Sequence, residues 1–250
     1  MKEWLSGRNP VYETLRANRR QFFRLWVAEG VQDKGRLEEI RSMCARMKCS
    51  VEYVPRPRLD ALAENHQGLA LEASDYPYSN LVDILDLAEQ RGEAPFLLIL
   101  DTLQDPQNLG TLLRTAEVVG VHGVLLPLRR TATVTPAVVH ASSGASEHLL
   151  ISQLNLAQAI ASLKEKDVWV IGLEGGPEAQ DASRIRLDGP LALVVGNEAE
   201  GMRSLVRSSC DLLMRLPMRG QIESLNAAVA GSVALYFALQ HRNKLQFNHK

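Results

Sequence analysis

The stretch DPQNLGTLLRTAEVVGV, residues 105–121, follows the apolar run FLLILD at 96–101. A short, continuous apolar run of this kind predicts a strand that is buried on both faces. The chain then turns at Asp105-Pro106 and enters a helix whose apolar residues recur at i, i+3, i+4, i+7 and i+11, so that they share one face. That face consists of Leu109, Leu112, Leu113, Ala116 and Gly120. A strand, a turn and an amphipathic helix in this order predict one unit of an α/β sheet.

The same helix has a second, polar face formed by Thr111, Arg114 and Glu117, which are spaced by three. One interpretation is an ordinary solvated face with an i, i+3 pair between Arg114 and Glu117. The other is a ligand site, because open α/β sheets bind ligands beyond the carboxyl ends of their strands. Asn108 and Gly110 lie in the first turn, where free N–H groups and a close backbone approach favour an anion. The helix alone leaves both interpretations open.

Further apolar runs predict a mostly parallel sheet covered on both faces by helices. They read GVLLP, VWVIGL, LALVVG and LLMRLP, and helical stretches separate them. Residues 1–74 predict a smaller α/β module, with strand signals in FRLWVAEG, VEYV and GLALEAS. Residues 75–94 predict a linker that carries a short helix between an Asn80 cap and Gly92. The sheet then occupies 95–250, which makes the chain an α/β protein of two domains.

Composition excludes several classes of protein. Of the 250 residues, 46% are hydrophobic and 23% are charged, which is typical of a soluble globular protein. The longest apolar run, AAVAGSVALYFAL at 227–239, is shorter than the ~18 residues of a membrane span and predicts a helix buried in a core or an interface. The N-terminus lacks the apolar segment of a signal peptide. Three cysteines form neither a disulfide framework nor a metal-type pairing, so we expect a reduced, cytoplasmic protein without a metal site.

Charge is distributed unevenly along the chain, although the net charge is only −1. Residues 1–58 hold 13 Lys and Arg against 7 Asp and Glu, a balance of +6. The remaining residues hold 15 against 22, a balance of −7. This asymmetry fits a polyanion-binding module beside a catalytic domain. A solvated charged surface would give the same numbers.

Three more segments follow predicted strands and could pass close to a ligand. They are GLEGG at 172–176, VVGNEAEGM at 194–202 and LPMRGQIESLNAAVAGS at 216–232, in which Ser224 is a candidate N-cap. The sequence has no GxGxxG fingerprint, no Walker A lysine, no GxSxG elbow and no metal-spaced pair of histidines. Dinucleotide, nucleoside triphosphate and serine hydrolase chemistry therefore find no support.

In order and spacing, DPQNLGTLLRTAE, GNEAEGM and LPMRGQIESLNAAVA resemble the three motifs of the SpoU family of SPOUT RNA 2′-O-ribose methyltransferases. GRNPVYETL near the start and HQGLAL at 66–71 resemble the substrate-binding module of the ribosomal branch, whose target is a guanosine 2′-hydroxyl in 23S rRNA. The resemblance implies a trefoil-knot methyltransferase domain at 95–250 and an RNA-binding domain at 1–74. It also implies a homodimer formed through the knotted domain, with RNA rather than DNA or a membrane as its partner.

The resemblance further implies the residues of the site. Loops after three strands would hold S-adenosylmethionine through Leu173, Glu174, Gly196, Leu216, Met218 and Leu225. The catalytic residues would be Asn108, Arg114, Glu198, Ser224 and Asn226. Because a guanidinium has a pKa above ~12, we interpret Arg114 as a clamp on the RNA phosphate rather than as a base. Glu198, Ser224 and Asn226 would then orient the nucleotide and its hydroxyl.

Two positions depart from the family pattern, and two other functions stay open. Ala199 stands where many relatives have Gly, and Arg219 stands where a small residue is common. A tRNA nucleotide or a different rRNA nucleotide could be the target on the same fold. A non-catalytic RNA-binding factor of ribosome assembly could also have this fold, although the three intact motifs argue against that function.

Overall fold

A computed structural model of the chain describes residues 2–197, 200–222 and 224–248. The chain forms two compact units. The first consists of residues 1–77 together with 133–148, and the second of 78–132 together with 149–250. Residues 133–148 thus belong to the first unit, although they lie inside the range 95–250 that the sequence predicts as one domain.

The first unit contains a mixed four-stranded sheet in the order β1-β4-β2-β3. Both β1 and β2 pair antiparallel with β4, whereas β2 and β3 pair in parallel. The strands are β1 (Lys2–Ser6), β2 (Phe22–Ala28), β3 (Ser50–Val54) and β4 (Leu69–Ser74), and the helices are α1 (Arg8–Ala17), α2 (Arg36–Arg46) and α3 (Arg56–Asp60). The small α/β module is confirmed, and β1 and α1 are additional elements that the apolar pattern did not predict.

The first unit holds residues 133–148 through a buried ion pair. Arg20 donates to both carboxylate oxygens of Glu147 at 2.7 Å, and their side chains are 0% and 1% exposed. Arg20 also donates to the Ser74 carbonyl at 2.8 Å and contacts the Glu3 carboxylate. Although burial lowers the pKa of the Arg20 guanidinium, its bonds to Glu147 and Glu3 raise that pKa above its ordinary value. The charge therefore persists inside the unit.

The second unit contains a seven-stranded sheet among its described residues, in the order β7-β6-β5-β10-β8-β11-β9. Every pair of neighbouring strands is parallel. The strands are β5 (Phe96–Leu100), β6 (Gly123–Pro127), β7 (Leu150–Leu154), β8 (Trp169–Leu173), β9 (Gln180–Asp181), β10 (Leu191–Val195) and β11 (Leu212–Arg215). The predicted α/β fold with a mostly parallel sheet is confirmed, and β7 and β9 are additional strands.

The α-helices after β4 are α4 (Leu81–Arg91), α5 (Pro106–Val118), α6 (Pro136–Ala141), α7 (Leu156–Lys164), α8 (Ser204–Ser209) and α9 (Ala227–Asn248), of which α6 belongs to the first unit. The predicted bounds of α4 are confirmed. The Asn80 N–H donates to Asp83 at 2.8 Å at its start, and Gly92 ends it in the left-handed conformation. None of the described helices combines the length and the apolar character that a bilayer span requires.

Helix α9 packs closely against α5 and β10. A Cβ atom at Gly231 would lie 2.6 Å from the Leu112 side chain and 3.1 Å from that of Val195. The hydroxyls of Thr115 and Ser232 are 2.9 Å apart across the two helices. The apolar face predicted for α5 is buried from Leu109 to Ala116, but the helix ends at Val118 and Gly120 lies beyond it with a φ of +79°. Gly120 is therefore a terminator of the helix rather than part of its face.

Candidate active site

A cavity of about 200 Å³ lies in the second unit at the carboxyl ends of three neighbouring strands, β10, β8 and β11. The loops after these strands and the first turns of α9 form its walls. Its described lining consists of Leu173, Glu174, Gly175, Val195, Gly196, Asn197, Gly201, Arg215, Leu216, Met218, Ser224, Leu225, Ala227 and Ala230. All six residues that the sequence predicts as cofactor contacts are in this set. Their individual roles stay predictions.

Strand register explains why these distant loops meet. Leu100, Val195, Leu173 and Met214 occupy one row across four parallel strands. The loops that follow therefore leave the sheet at the same level, on the edge where open α/β sheets bind ligands. The Glu174 N–H donates to the Met214 carbonyl at 3.0 Å and extends this pairing into the loop.

The loop after β10 is a tight turn that requires glycine at its start. A Cβ atom at Gly196 would lie 2.4 Å from the backbone of Gly201 and Met202, which no side chain could tolerate. Asn197 and Gly201 exchange backbone hydrogen bonds of 3.0 and 2.9 Å, and Gly201 has a φ of +66°. The Asn197 amide also donates to the Thr102 carbonyl at 3.1 Å. The predicted catalytic residue Glu198 and the family departure Ala199 lie in this loop, outside the described residues.

Arg207 on α8 holds the Glu174 carboxylate. Its Nε donates to the two Glu174 oxygens at 2.8 and 3.1 Å, and its Nη2 donates to Glu178 at 2.6 Å. The hydrogen bond to Glu178, and to a smaller extent those to Glu174, raise the pKa of the Arg207 guanidinium above its ordinary value. The carboxylate at the cavity wall is thus fixed and partly neutralised.

A buried aspartate anchors the other end of the loop after β10. Asp101, 0% exposed at the end of β5, accepts from the Arg203 backbone N–H at 2.8 Å and from its Nε at 2.7 Å. This pair ties the start of α8 to β5. No sequence pattern predicted a role for Asp101, Arg203 or Arg207. A charged residue at the end of an apolar run is the only local signal, and it does not identify a partner 102 residues away.

The first and third motifs meet through two asparagines. The Asn226 amide Nδ2 donates to Asn108 Oδ1 at 3.1 Å. Asn226 Oδ1 accepts from the N–H groups of Ala228 and Val229 at 2.9 and 3.2 Å, which makes Asn226 the N-cap of α9. The prediction of Ser224 as the cap is therefore wrong, because the helix begins two residues later than the sequence pattern suggested. Ser224 is exposed and lines the cavity.

Arg114 and Arg219, which the sequence also singled out, lie outside the described lining of the cavity. Arg114 is exposed on α5, six residues after Asn108 and so roughly 9 Å further along the helix axis. Arg219 is exposed in the loop between β11 and α9. The structure thus brings Asn108, Asn226 and the cavity together and leaves Arg114 on the neighbouring surface. Among the described residues, no cluster of three His, Cys, Asp or Glu side chains is arranged to hold a metal ion.

Comparisons with known proteins give the family. Residues 95–236 match the SpoU rRNA Methylase family, and residues 4–79 match the domain family for RNA 2′-O ribose methyltransferase substrate binding. YacO of Bacillus subtilis (strain 168), assigned to the TrmH family of tRNA/rRNA methyltransferases, is 39% identical over 243 residues, 96% of each chain. A Staphylococcus haemolyticus relative with the same assignment is 36% identical over 97% of each chain.

Solved structures share the fold. The SpoU methyltransferase AviRb of Streptomyces viridochromogenes, in complex with AdoMet, aligns with a TM-score of 0.80 at 20% identity and covers 97% of this chain and 91% of its own. An AdoMet-bound rRNA methyltransferase of Sinorhizobium meliloti aligns with a TM-score of 0.79 at 23% identity over 96% of this chain and 87% of its own. From the family match and the full-length relatives together, the chain belongs to the SpoU family of RNA methyltransferases.

Proposed function

We propose that the protein methylates the 2′-hydroxyl of a guanosine in 23S rRNA, with S-adenosylmethionine as its cofactor. The observation that carries this proposal is the cavity at the ends of β10, β8 and β11, which collects residues from three separate loops. Asn226 lies between two lining residues of this cavity, Leu225 and Ala227, and its hydrogen bond to Asn108 joins the first motif to the cavity. A substrate-binding domain match at 4–79 supports RNA as the methyl acceptor.

The cavity suits the proposed cofactor in its chemistry. Its walls are largely apolar, from Leu173, Leu216, Met218 and Leu225, with a few fixed polar groups such as Glu174. Pockets of this kind bind a flat heterocycle between apolar side chains and orient it through backbone groups. The volume of about 200 Å³ is below the ~300–1,000 Å³ typical of whole ligand sites, so part of the cofactor would extend past this lining. When bound, S-adenosylmethionine supplies an electrophilic methyl group.

The chain's own residues would act mainly by alignment. Methyl transfer to a hydroxyl is an in-line displacement in which the hydroxyl must also lose its proton to a base, and correct positioning of the reactants supplies much of the rate. Asn226, fixed by the α9 cap and by Asn108, would orient the nucleotide, with Ser224 beside it at the cavity wall. Arg114 would clamp the RNA phosphate and stabilise the developing negative charge on the ribose oxygen. Glu198 keeps the orienting role that the resemblance implies.

The rRNA target fits the ribosomal branch of the family, to which the 23S rRNA (guanosine-2′-O-)methyltransferase RlmB belongs. The chain carries the additional N-terminal domain of that branch and an excess of basic residues within 1–58. The assignments of the relatives mention both tRNA and rRNA, so a tRNA nucleotide is the second candidate target. In either case the substrate is cytoplasmic RNA. A non-catalytic assembly factor is the third candidate.

We also propose a homodimer through the second unit. Helix α9 exposes a row of large apolar side chains, with Val229 48%, Val233 37% and Tyr236 46% exposed. These residues recur at intervals of three and four and so form one stripe. Exposed apolar stripes of this kind mark protein–protein interfaces. Sedimentation of the purified chain would test this assignment, which a monomer at micromolar concentration would contradict.

Two experiments test the main proposal. Calorimetry with S-adenosylmethionine should give close to one site per chain, whereas no binding at millimolar ligand would remove the enzyme assignment. 2′-O-methyl groups are then mapped in rRNA and tRNA from cells with and without the gene. Cells without the gene should lack the 2′-O-methyl group of one guanosine in 23S rRNA. Loss of a tRNA methyl group instead would move the protein to the tRNA branch.

A further inference from the structure

A second cavity, of about 450 Å³, opens at the carboxyl ends of β6 and β7 in the second unit. The starts of α7 and α8 close its other sides. Its described lining, here called the arginine cavity, consists of Pro127, Leu128, Arg129, Arg130, Leu154, Asn155, Leu156, Ala157, Arg203, Leu205 and Val206. None of these residues belongs to the three family motifs, although Arg203 directly follows the second.

This arginine cavity lies on the same sheet edge as the candidate cofactor cavity. In the sheet order, β6 and β8 are three strand spacings apart, roughly 14 Å. Between them lie β5 and β10, and the end of β5 leads into α5 with Asn108 and Arg114. A polymer could bind with one of its monomers at the candidate active site and cross the end of β5. Its neighbouring monomers would then reach the arginine cavity.

The lining chemistry suits a polyanion. Arg129 and Arg130 are exposed, and among the described residues neither forms an ion pair. No described lining residue is acidic. Arg203 forms an ion pair with the buried Asp101. The uncompensated positive charge of the lining is therefore that of Arg129 and Arg130. Arg130 adopts a left-handed φ of +59°, a conformation that a long side chain rarely takes and that often marks functional loops.

The anion contact would come from side chains rather than from a helix terminus. Asn155 Oδ1 already accepts from the N–H groups of Ala157 and Gln158 at 3.1 and 3.3 Å, so it occupies the first free amides of α7. Beside the arginines, Leu128 and Leu205 are 64% and 65% exposed. In sites for single strands a cationic surface follows the phosphates while neighbouring side chains cover the bases, and the two exposed leucines offer apolar area for such a contact.

We propose that the arginine cavity binds single-stranded RNA next to the target ribose, with Arg129 and Arg130 on phosphates and Leu128 and Leu205 against a base. This inference rests on the proposed function for the identity of the polymer. It assigns to the second unit an RNA contact of its own, in addition to the N-terminal substrate-binding domain.

The test compares two charge-matched double variants of the full chain. Arg129→Gln/Arg130→Gln removes the proposed contacts. Arg91→Gln/Lys166→Gln removes two exposed charges from the opposite, amino edge of the sheet, where α4 and α7 end. Binding of a ~12-nucleotide single-stranded RNA is measured by fluorescence anisotropy over a range of salt concentrations. Each lost phosphate contact on a single strand lowers the slope of log K against log salt by ~0.7.

We expect the slope to fall by about 1.4 in Arg129→Gln/Arg130→Gln and to stay unchanged in the control. Melting temperature and S-adenosylmethionine binding should stay as in the parent chain, because both arginines are exposed. Equal slopes in the two variants would overturn the inference and leave the cavity to a ligand other than RNA. Failure of the proposed function would show differently, as absent cofactor binding in the parent chain.

Discussion

At the scale of single residues, Arg114 decides between a solvated helix face and a catalytic contact. Because the side chain is exposed, Arg114→Ala should leave the melting temperature and cofactor affinity nearly unchanged. Single-turnover methylation should fall about 10²-fold or more, as expected when a donor to developing charge is lost. Arg114→Lys should remain slow, since lysine keeps the charge but lacks the planar fork.

Glu117→Gln, one turn further along α5 and also exposed, is the matched control and should methylate at the parent rate. Full activity in Arg114→Ala would mean that Arg114 is part of an ordinary solvated helix face and has no catalytic contact. Recovery in Arg114→Lys with loss in Arg114→Ala would replace the bidentate clamp with a simple charge effect.

A second residue-scale prediction concerns Arg207, which fixes Glu174 and Glu178 beside the candidate cofactor cavity. Arg207→Gln should weaken S-adenosylmethionine binding by about tenfold, the loss expected when a charge-assisted contact no longer orders a wall of the site. Calorimetry measures the change. Arg186→Gln breaks a comparable arginine–carboxylate pair, with Asp188, and should have no effect. Equal affinity in both variants would mean that the Glu174 position is immaterial to the cofactor.

At the scale of the element, the predictions that the structure confirms came from the apolar pattern of strands and from the residues that begin and end a helix. β5, β6 and β10 are buried throughout, so each reads as a continuous apolar run, and Asn80 and Gly92 delimit α4 by local chemistry alone. β7 was missed because LISQL interrupts its apolar residues with Ser and Gln.

Contacts between elements could not be predicted in the same way. Asp101 meets Arg203, and Asn108 meets Asn226, only because the sheet order brings their loops together. The strand order itself is not encoded in any local segment. The candidate site residues were predicted from the motif resemblance and their roles stay predictions, whereas the anchors Asp101 and Arg207 lie outside the residues that the motifs singled out.

The start of α9 provides the element-scale prediction. Asn226→Ala removes the helix cap and should lower the free energy of unfolding by ~1 kcal/mol. Asn226→Asp keeps an acceptor for the N–H groups of Ala228 and Val229 but loses the donation to Asn108 Oδ1. It should therefore keep most of the stability and still lose methylation. Ser224→Ala should change stability by less than ~0.5 kcal/mol, since Ser224 does not cap the helix.

Urea unfolding and single-turnover methylation, measured on all three variants, separate the two roles of Asn226. Parent activity in Asn226→Asp would limit this residue to capping. A stability loss in Ser224→Ala equal to that in Asn226→Ala would contradict the assigned start of the helix.

At the scale of the whole molecule, the compact units do not follow the order of the chain. The chain leaves the second unit at residue 133, belongs to the first until residue 148, and then returns. Deletion of residues 1–74 would uncover buried groups in this segment, among them Val138, Val139 and Glu147. Such a deletion would therefore combine loss of RNA binding with loss of stability. Point variants in the full chain test the substrate-binding domain more cleanly.

The buried pair between Arg20 and Glu147 gives the whole-molecule prediction. Arg20→Met should destabilise the first unit by ~3–5 kcal/mol, because it leaves the Glu147 carboxylate buried without its partner. Arg16→Gln removes a surface pair with Glu13 and should cost at most ~1 kcal/mol. Hydrogen exchange should show that residues 133–148 lose protection only in Arg20→Met.

The double variant Arg20→Met/Glu147→Met separates loss of a charge partner from loss of packing. Methionine replaces both charged groups with apolar chains, so the fully buried Glu147 carboxylate is removed together with its partner and much of the stability should return. Protection of residues 133–148 should recover with it, even though Glu3 and the Ser74 carbonyl lose their contact to Arg20. If the double variant is no more stable than Arg20→Met, the segment is held by the geometry of the Arg20 hydrogen bonds rather than by charge compensation.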